Sequence, residues 1–147
     1  MRLAGWTLAA IAAASVAIGG CGGGGSGKSS AGAPTVTVLV KNTDCAIKDI
    51  TVSPFTVEQD TSGGALHLTI RATVKCNGQP LKGATLTFTI PGETAATTVD
   101  TGDQGGAETT PQNPGNKDLV GQDVGVAVTG ADGKAYPQGT ATVTKAP

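Results

Sequence analysis

The sequence predicts an all-β domain, a two-layer antiparallel β-sandwich of about seven short strands, and three observations predict it. From Thr35 onward the apolar residues recur with a period of two, and no stretch sustains the period of an amphipathic helix. The turn-forming pairs Asn77-Gly78, Pro91-Gly92 and Asp132-Gly133 punctuate those apolar runs. Residues 35–147 are enough for one core, and many short strands with frequent turns favour a sandwich over a barrel.

The strands follow in chain order. The first are expected at 35–40 and 50–57. The clearest spans 65–76, where Leu66, Leu68, Ile70, Ala72 and Val74 share one face and His67, Thr69, Arg71, Thr73 and Lys75 the other. The first face therefore points into the core, and Cys76 continues its phase. At 84–90, Leu86, Phe88 and Ile90 alternate with Thr85, Thr87 and Thr89. Further strands are expected at 95–100, around Val124, Val126 and Val128, and at 139–144, with Thr140, Thr142 and Thr144 on the polar face. Residues 103–118, rich in Gly, Pro, Asn and Thr, read as an irregular loop with one short strand at 107–109. Asn-Gly and Asp-Gly suit the positive backbone angles of tight primed turns, although the connections here read as longer than two residues.

Ahead of this domain stand Arg2, an apolar run from Leu3 to Ile18, and then Gly19-Gly20-Cys21. The apolar run is shorter than the roughly 20 residues that a spanning helix needs. The segment resembles the lipobox signal of bacterial lipoproteins. That resemblance implies cleavage of residues 1–20 and a lipid on Cys21, with the mature protein anchored to the cell membrane on its extracytoplasmic face. Several acyl chains hold a protein where one would not. The alternatives are an ordinary cleaved signal with Cys21 a free thiol, or an uncleaved anchor. Residues 22–34 are almost wholly Gly, Ser, Ala and Pro and cannot bury enough apolar surface to order themselves, so they read as a flexible tether. Thirteen such residues span about 20 Å, which keeps the domain near its membrane.

Net charge is -1 for the whole chain, and both signs are scattered without a basic patch, so nucleic acid has no electrostatic claim on it. With Cys21 lipidated, Cys45 and Cys76 remain as an even pair in an exported chain, and a disulfide between them is expected. The alternative is two separate buried thiols.

The run Cys76-Asn77-Gly78-Gln79-Pro80-Leu81-Lys82-Gly83-Ala84-Thr85-Leu86-Thr87-Phe88, followed by Thr98-Val99-Asp100-Thr101-Gly102-Asp103-Gln104-Gly105-Gly106-Ala107, resembles bacterial immunoglobulin-like domains of the invasin and intimin type. It covers about a third of the domain, on turn and strand positions, and implies an immunoglobulin-like sandwich rather than a role. A prealbumin-like sandwich would show similar residues. Asp103-Gln104 departs from that family's usual turn, and the core tryptophan and cysteine spacing of antibody domains are missing.

The candidate chemistry is sparse. Gly22-Gly23-Gly24-Gly25-Ser26-Gly27-Lys28-Ser29 matches a P-loop string, but no strand precedes it and no helix follows, so no nucleotide is expected. His67, the only histidine, reads as a solvent-facing strand residue, and no nucleophile elbow accompanies it. Two cysteines without CxxC spacing do not make a zinc set. Asp100, Asp103, Glu108, Asp118 and Asp123 fit no EF-hand spacing and read as turn and surface residues, so neither metal nor cofactor is expected. A binding surface is expected around Asp44, Lys48 and Asp49, or along the 103–118 loop, because a rigid sandwich presents loops at its ends. The threonine faces follow from β propensity and also offer hydroxyls to a glycan or a partner strand.

The leading functional expectation is a non-enzymatic, lipid-anchored envelope protein whose domain binds a protein or glycan partner or acts as a spacer. The alternatives are a phage-type exclusion or inhibitor lipoprotein that masks a surface receptor or envelope enzyme, and an accessory module of a cell-wall hydrolase.

Overall fold

Alternating side chains build the sheet. In β2 (His67–Cys76), Leu68, Ile70, Ala72 and Val74 are buried while His67 and Arg71 face solvent; in β4 (Thr85–Thr89), Leu86 and Phe88 are buried. The computed structural model describes residues 36–62, 65–112 and 114–147. The lipobox-like segment, Cys21, residues 22–34 and the P-loop-like string lie outside the described residues.

The fold is all-β, with no α-helix among the described residues. The other strands are β1 (Ile50–Asp60), β3 (Gln79–Pro80), β5 (Thr97–Asp100), β6 (Gly106–Thr109), β7 (Asp123–Thr129) and β8 (Ala135–Lys145), with 3-10 turns at Ile47–Asp49 and Pro114–Asn116. They form one mixed sheet in the order β3-β2-β1-β8-β7-β4-β5, and β6 pairs with β2. β8 makes the sheet continuous. Its first part runs antiparallel to β7, and its last residues run parallel to β1 from Val57↔Val143 to Gln59↔Lys145.

That parallel pair corrects the expectation of a wholly antiparallel arrangement. Strands β1 and β8 both leave the same end of the domain, so they can share an edge only side by side. The sheet curls over its own core. The Phe55 ring on β1 stacks on Phe88 of β4 with centroids 5.9 Å apart, although β8 and β7 separate those strands in the sheet order. Such curling is consistent with the expected sandwich. The core is aliphatic, built around Leu68, Ile70, Val74, Leu86, Val124 and Val128, with Phe88 its largest fully buried side chain.

Two further expectations change. Residues 36–40 do not form a strand, because they pair only through the bridges Leu39↔Ala46 and Val40↔Gly130. β2 and β3 are joined by Asn77 and Gly78 alone, with φ of 50° and 83°, the positive pair of a two-residue primed turn. The short strand expected at 107–109 is present as β6, which takes the 103–118 segment along β2 from one end of the domain to the other. β1 extends to Asp60, with a register shift between Val52 and Phe55 where the Ser53-Pro54 bond is cis.

Strand direction assigns the two ends. One holds residues 36–49, the Asn77-Gly78 turn, residues 101–105 and the β7–β8 turn; the other holds the ends of β1 and β8, residues 91–97 and residues 110–122.

Candidate functional site

The first end is closed covalently. Cys45 and Cys76 form a disulfide with their Cα atoms 6.2 Å apart, tying residues 45–49 to the tip of β2. Cys45 is buried in the core cluster, and Cys76 packs on its margin. The Asn77 amide donates to the Asp49 carbonyl oxygen at 3.0 Å, so the bonded pair and the primed turn brace each other.

Over this closure runs the segment from Val36 to Lys41. Its backbone is held on both sides: Ile47 N–H donates to the Val38 carbonyl, Lys41 N–H to that of Thr129, and Ala131 N–H to that of Leu39. Val40 anchors the segment in the core, but because the segment lies outside the main sheet, Val36 and Leu39 are left at the surface. Val36 is 82% exposed and Leu39 39%. With Val38, Ile47, Lys48 and Tyr136, Val36 lines an open, mainly apolar cleft of about 320 Å³.

Gly130 makes the cleft possible. A Cβ there would lie 2.7 Å from Tyr136 Cε2 and 3.2 Å from Val38 Cγ1, so only glycine lets the ring and the valine close over the β7–β8 turn. The Tyr136 hydroxyl donates to Asp132 Oδ2 at 2.7 Å. That bond holds the phenol proton above the usual tyrosine range, and it holds the Asp132 carboxyl below the usual carboxylate range, helped by the Lys134 amide. Lys48 lines the cleft and Lys41 is exposed at the end of the same segment, and neither enters an ion pair among the described residues.

Of the two regions expected to bind, Asp44, Lys48 and Asp49 stand at this end, while most of 103–118 does not. Residues 103–105 turn beside Val74 and Leu81, but residues 110–118 lie at the opposite end, where Gln112 bridges to His67. The buried Gln59 organises that end: its Oε1 accepts from Leu119 N–H at 2.8 Å, and its Nε2 donates to Asp118 Oδ1 at 3.2 Å. His67 is exposed opposite Asp60, whose carboxyl is held low by the Ser62 hydroxyl and amide. A second crevice, of about 430 Å³, lies between residues 92–97 and Pro111-Gln112, and there burial pushes the Glu93 carboxyl up.

Each candidate carboxylate has its own partner. Asp100 accepts from the Thr85 hydroxyl, Asp123 from that of Thr142, Asp103 pairs with Lys82, and Glu108 pairs with Arg71, which also reaches Glu58. Among the described residues no three His, Cys, Asp or Glu side chains gather as a metal would require. Pro54, Thr56, Arg71 and Glu108 line a shallow groove of about 420 Å³ on the β1–β2–β6 face.

Sequence reasoning reached Lys48 but missed Val36, Val38 and Tyr136. The available signal was the Val36, Val38, Val40 alternation, which reads as a core-facing strand until its pairing is known. No family model matches this chain, and no curated protein is significantly similar to it.

Proposed function

We propose that this chain is a lipid-anchored envelope protein whose all-β domain, an immunoglobulin-like sandwich of the invasin and intimin type, serves as a non-enzymatic binding or spacing module on the extracytoplasmic face of the cell membrane. The observation that carries the reading is the Cys45–Cys76 bond. It uses both domain cysteines and suits an oxidising compartment, and it leaves Cys21, directly after Ile18-Gly19-Gly20, as the one cysteine outside the domain. The chain enters the domain at Val36, on the disulfide end. The second crevice and residues 110–122, at the end opposite the one where the chain enters, offer a surface on which an envelope protein or glycan would be met.

Metabolic labelling with a palmitate analogue tests the anchor. The wild-type protein is expected to take up label and to partition with membranes, and Cys21→Ala to lose both. Retention of the substituted protein in the membrane fraction overturns the reading.

A further inference from the structure

We propose that the disulfide end is a membrane-docking face, which seats the domain on an anionic lipid headgroup surface through Val36, Leu39, Ile47 and Tyr136 with Lys41 and Lys48 around them. The inference rests on the lipid-anchor reading and adds an orientation to it.

Four observations converge. Val36 and Leu39 are exposed, and Val36, Val38, Ile47 and Tyr136 form an apolar cleft at the surface rather than inside the core. Tyr136 presents an apolar ring to that cleft while its hydroxyl stays on Asp132, the amphipathic arrangement that suits tyrosine to a headgroup boundary. Lys48 lines the cleft and Lys41 is exposed at the end of the Val36–Lys41 segment, both without ion pairs among the described residues, and a lysine stem can lie along apolar surface while its ammonium meets lipid phosphate. Finally, the chain reaches this face at Val36, close in sequence to Cys21, and so short a connection reaches about 50 Å at most even when fully extended, so a lipid on Cys21 holds this face at high effective concentration beside the bilayer.

Charge sets the sense of the orientation. The disulfide end also carries Asp44 and Asp49, which offset Lys41 and Lys48, while its Asp103 and Asp132 pair with Lys82 and Lys134; the opposite end sets Asp60, Glu93, Asp118 and Asp123 against Lys117 and Lys145. An anionic surface repels the second end and accepts the first.

The test uses an intrinsic probe. Tyr136 is the single tyrosine, and Trp6, the single tryptophan, leaves with the signal segment, so emission from the mature lipoprotein reports Tyr136. The purified lipoprotein is placed in phosphatidylethanolamine–phosphatidylglycerol vesicles whose acyl chains carry bromine near the headgroup or carry none. Docking predicts that bromine lowers Tyr136 emission about twofold, because an interfacial side chain sits within the reach of those carbons. Val36→Glu with Lys48→Glu, both at exposed or rim positions that the fold does not need, is expected to restore emission while the protein still floats with the vesicles. Equal emission with and without bromine, in a wild-type protein that floats, overturns docking and leaves the anchor standing. Failure to float overturns the anchor and docking together.

Discussion

Tyr136 and Asp132 form the most informative residue pair at the surface. A carboxylate that accepts the phenol proton raises the pKa of the phenol and lowers its own, so the contact persists from mildly acidic to mildly alkaline pH. It weakens as pH rises through the raised tyrosine value, or falls through the depressed aspartate value. Asp132→Ala is expected to bring the Tyr136 titration down toward the ordinary tyrosine range, read as tyrosinate absorbance in a mature chain with no other tyrosine. Glycine supplies the second residue-scale prediction. Gly105 has φ of 69°, and a Cβ there would run into the Val74 carbonyl oxygen and lie 2.9 Å from Leu81 N, both immovable backbone. Gly105→Ala should therefore cost about 2 to 4 kcal/mol in urea unfolding, whereas Gly133→Ala, at φ of 77° with open space around it, should cost only about 1 kcal/mol. The sequence distinguishes neither glycine from the other, since both sit in plausible turns.

At the scale of elements, the covalent and polar ties between strands carry the predictions. The Cys45–Cys76 bond closes a separation of 31 residues, and in the chain-entropy model its removal by paired alanines should lower stability by about 3 to 4 kcal/mol. A shift in urea midpoint well below that size would mean that residues 45–49 stay seated without it. Gln59→Leu tests the opposite end. It keeps the volume but leaves the Leu119 N–H unpaired, and a cost of about 1 to 3 kcal/mol is expected, again by urea unfolding. The long central strands were legible because their two faces differ: β2, β4 and β7 bury the residues that their alternation assigns to the core. Segment 36–40 alternates just as cleanly and yet is no sheet strand. Its alternation describes side chains, whereas a strand needs a free edge to pair with, and the β7–β8 turn offers it only Gly130. β6 was legible only as a short piece, because its sequence carries one buried residue, Ala107.

Across the whole molecule, the direction of the strands decides what a partner meets. The entry at Val36 and the disulfide lie at one end, and β8 runs out at Lys145 at the other, where the Ala146 amide donates to the Gln59 carbonyl at 2.9 Å. An epitope tag after Pro147 should therefore stay open to antibody on vesicle-bound protein, and antibody access lost on binding to vesicles would contradict that polarity. What the sequence by itself determined was local. Period-two alternation specified the all-β class, glycine-containing turns set most of the strand boundaries, and two domain cysteines in an exported-looking chain specified the bond. The tertiary structure alone decided the parallel union of β1 with β8, the division of 103–118 between the two ends, and the exposure of Val36 beside Tyr136. The physical reason is that alternation tells which face of a strand is apolar, but not which neighbour or which end that face will meet; those depend on backbone pairings between residues as far apart as Val57 and Val143.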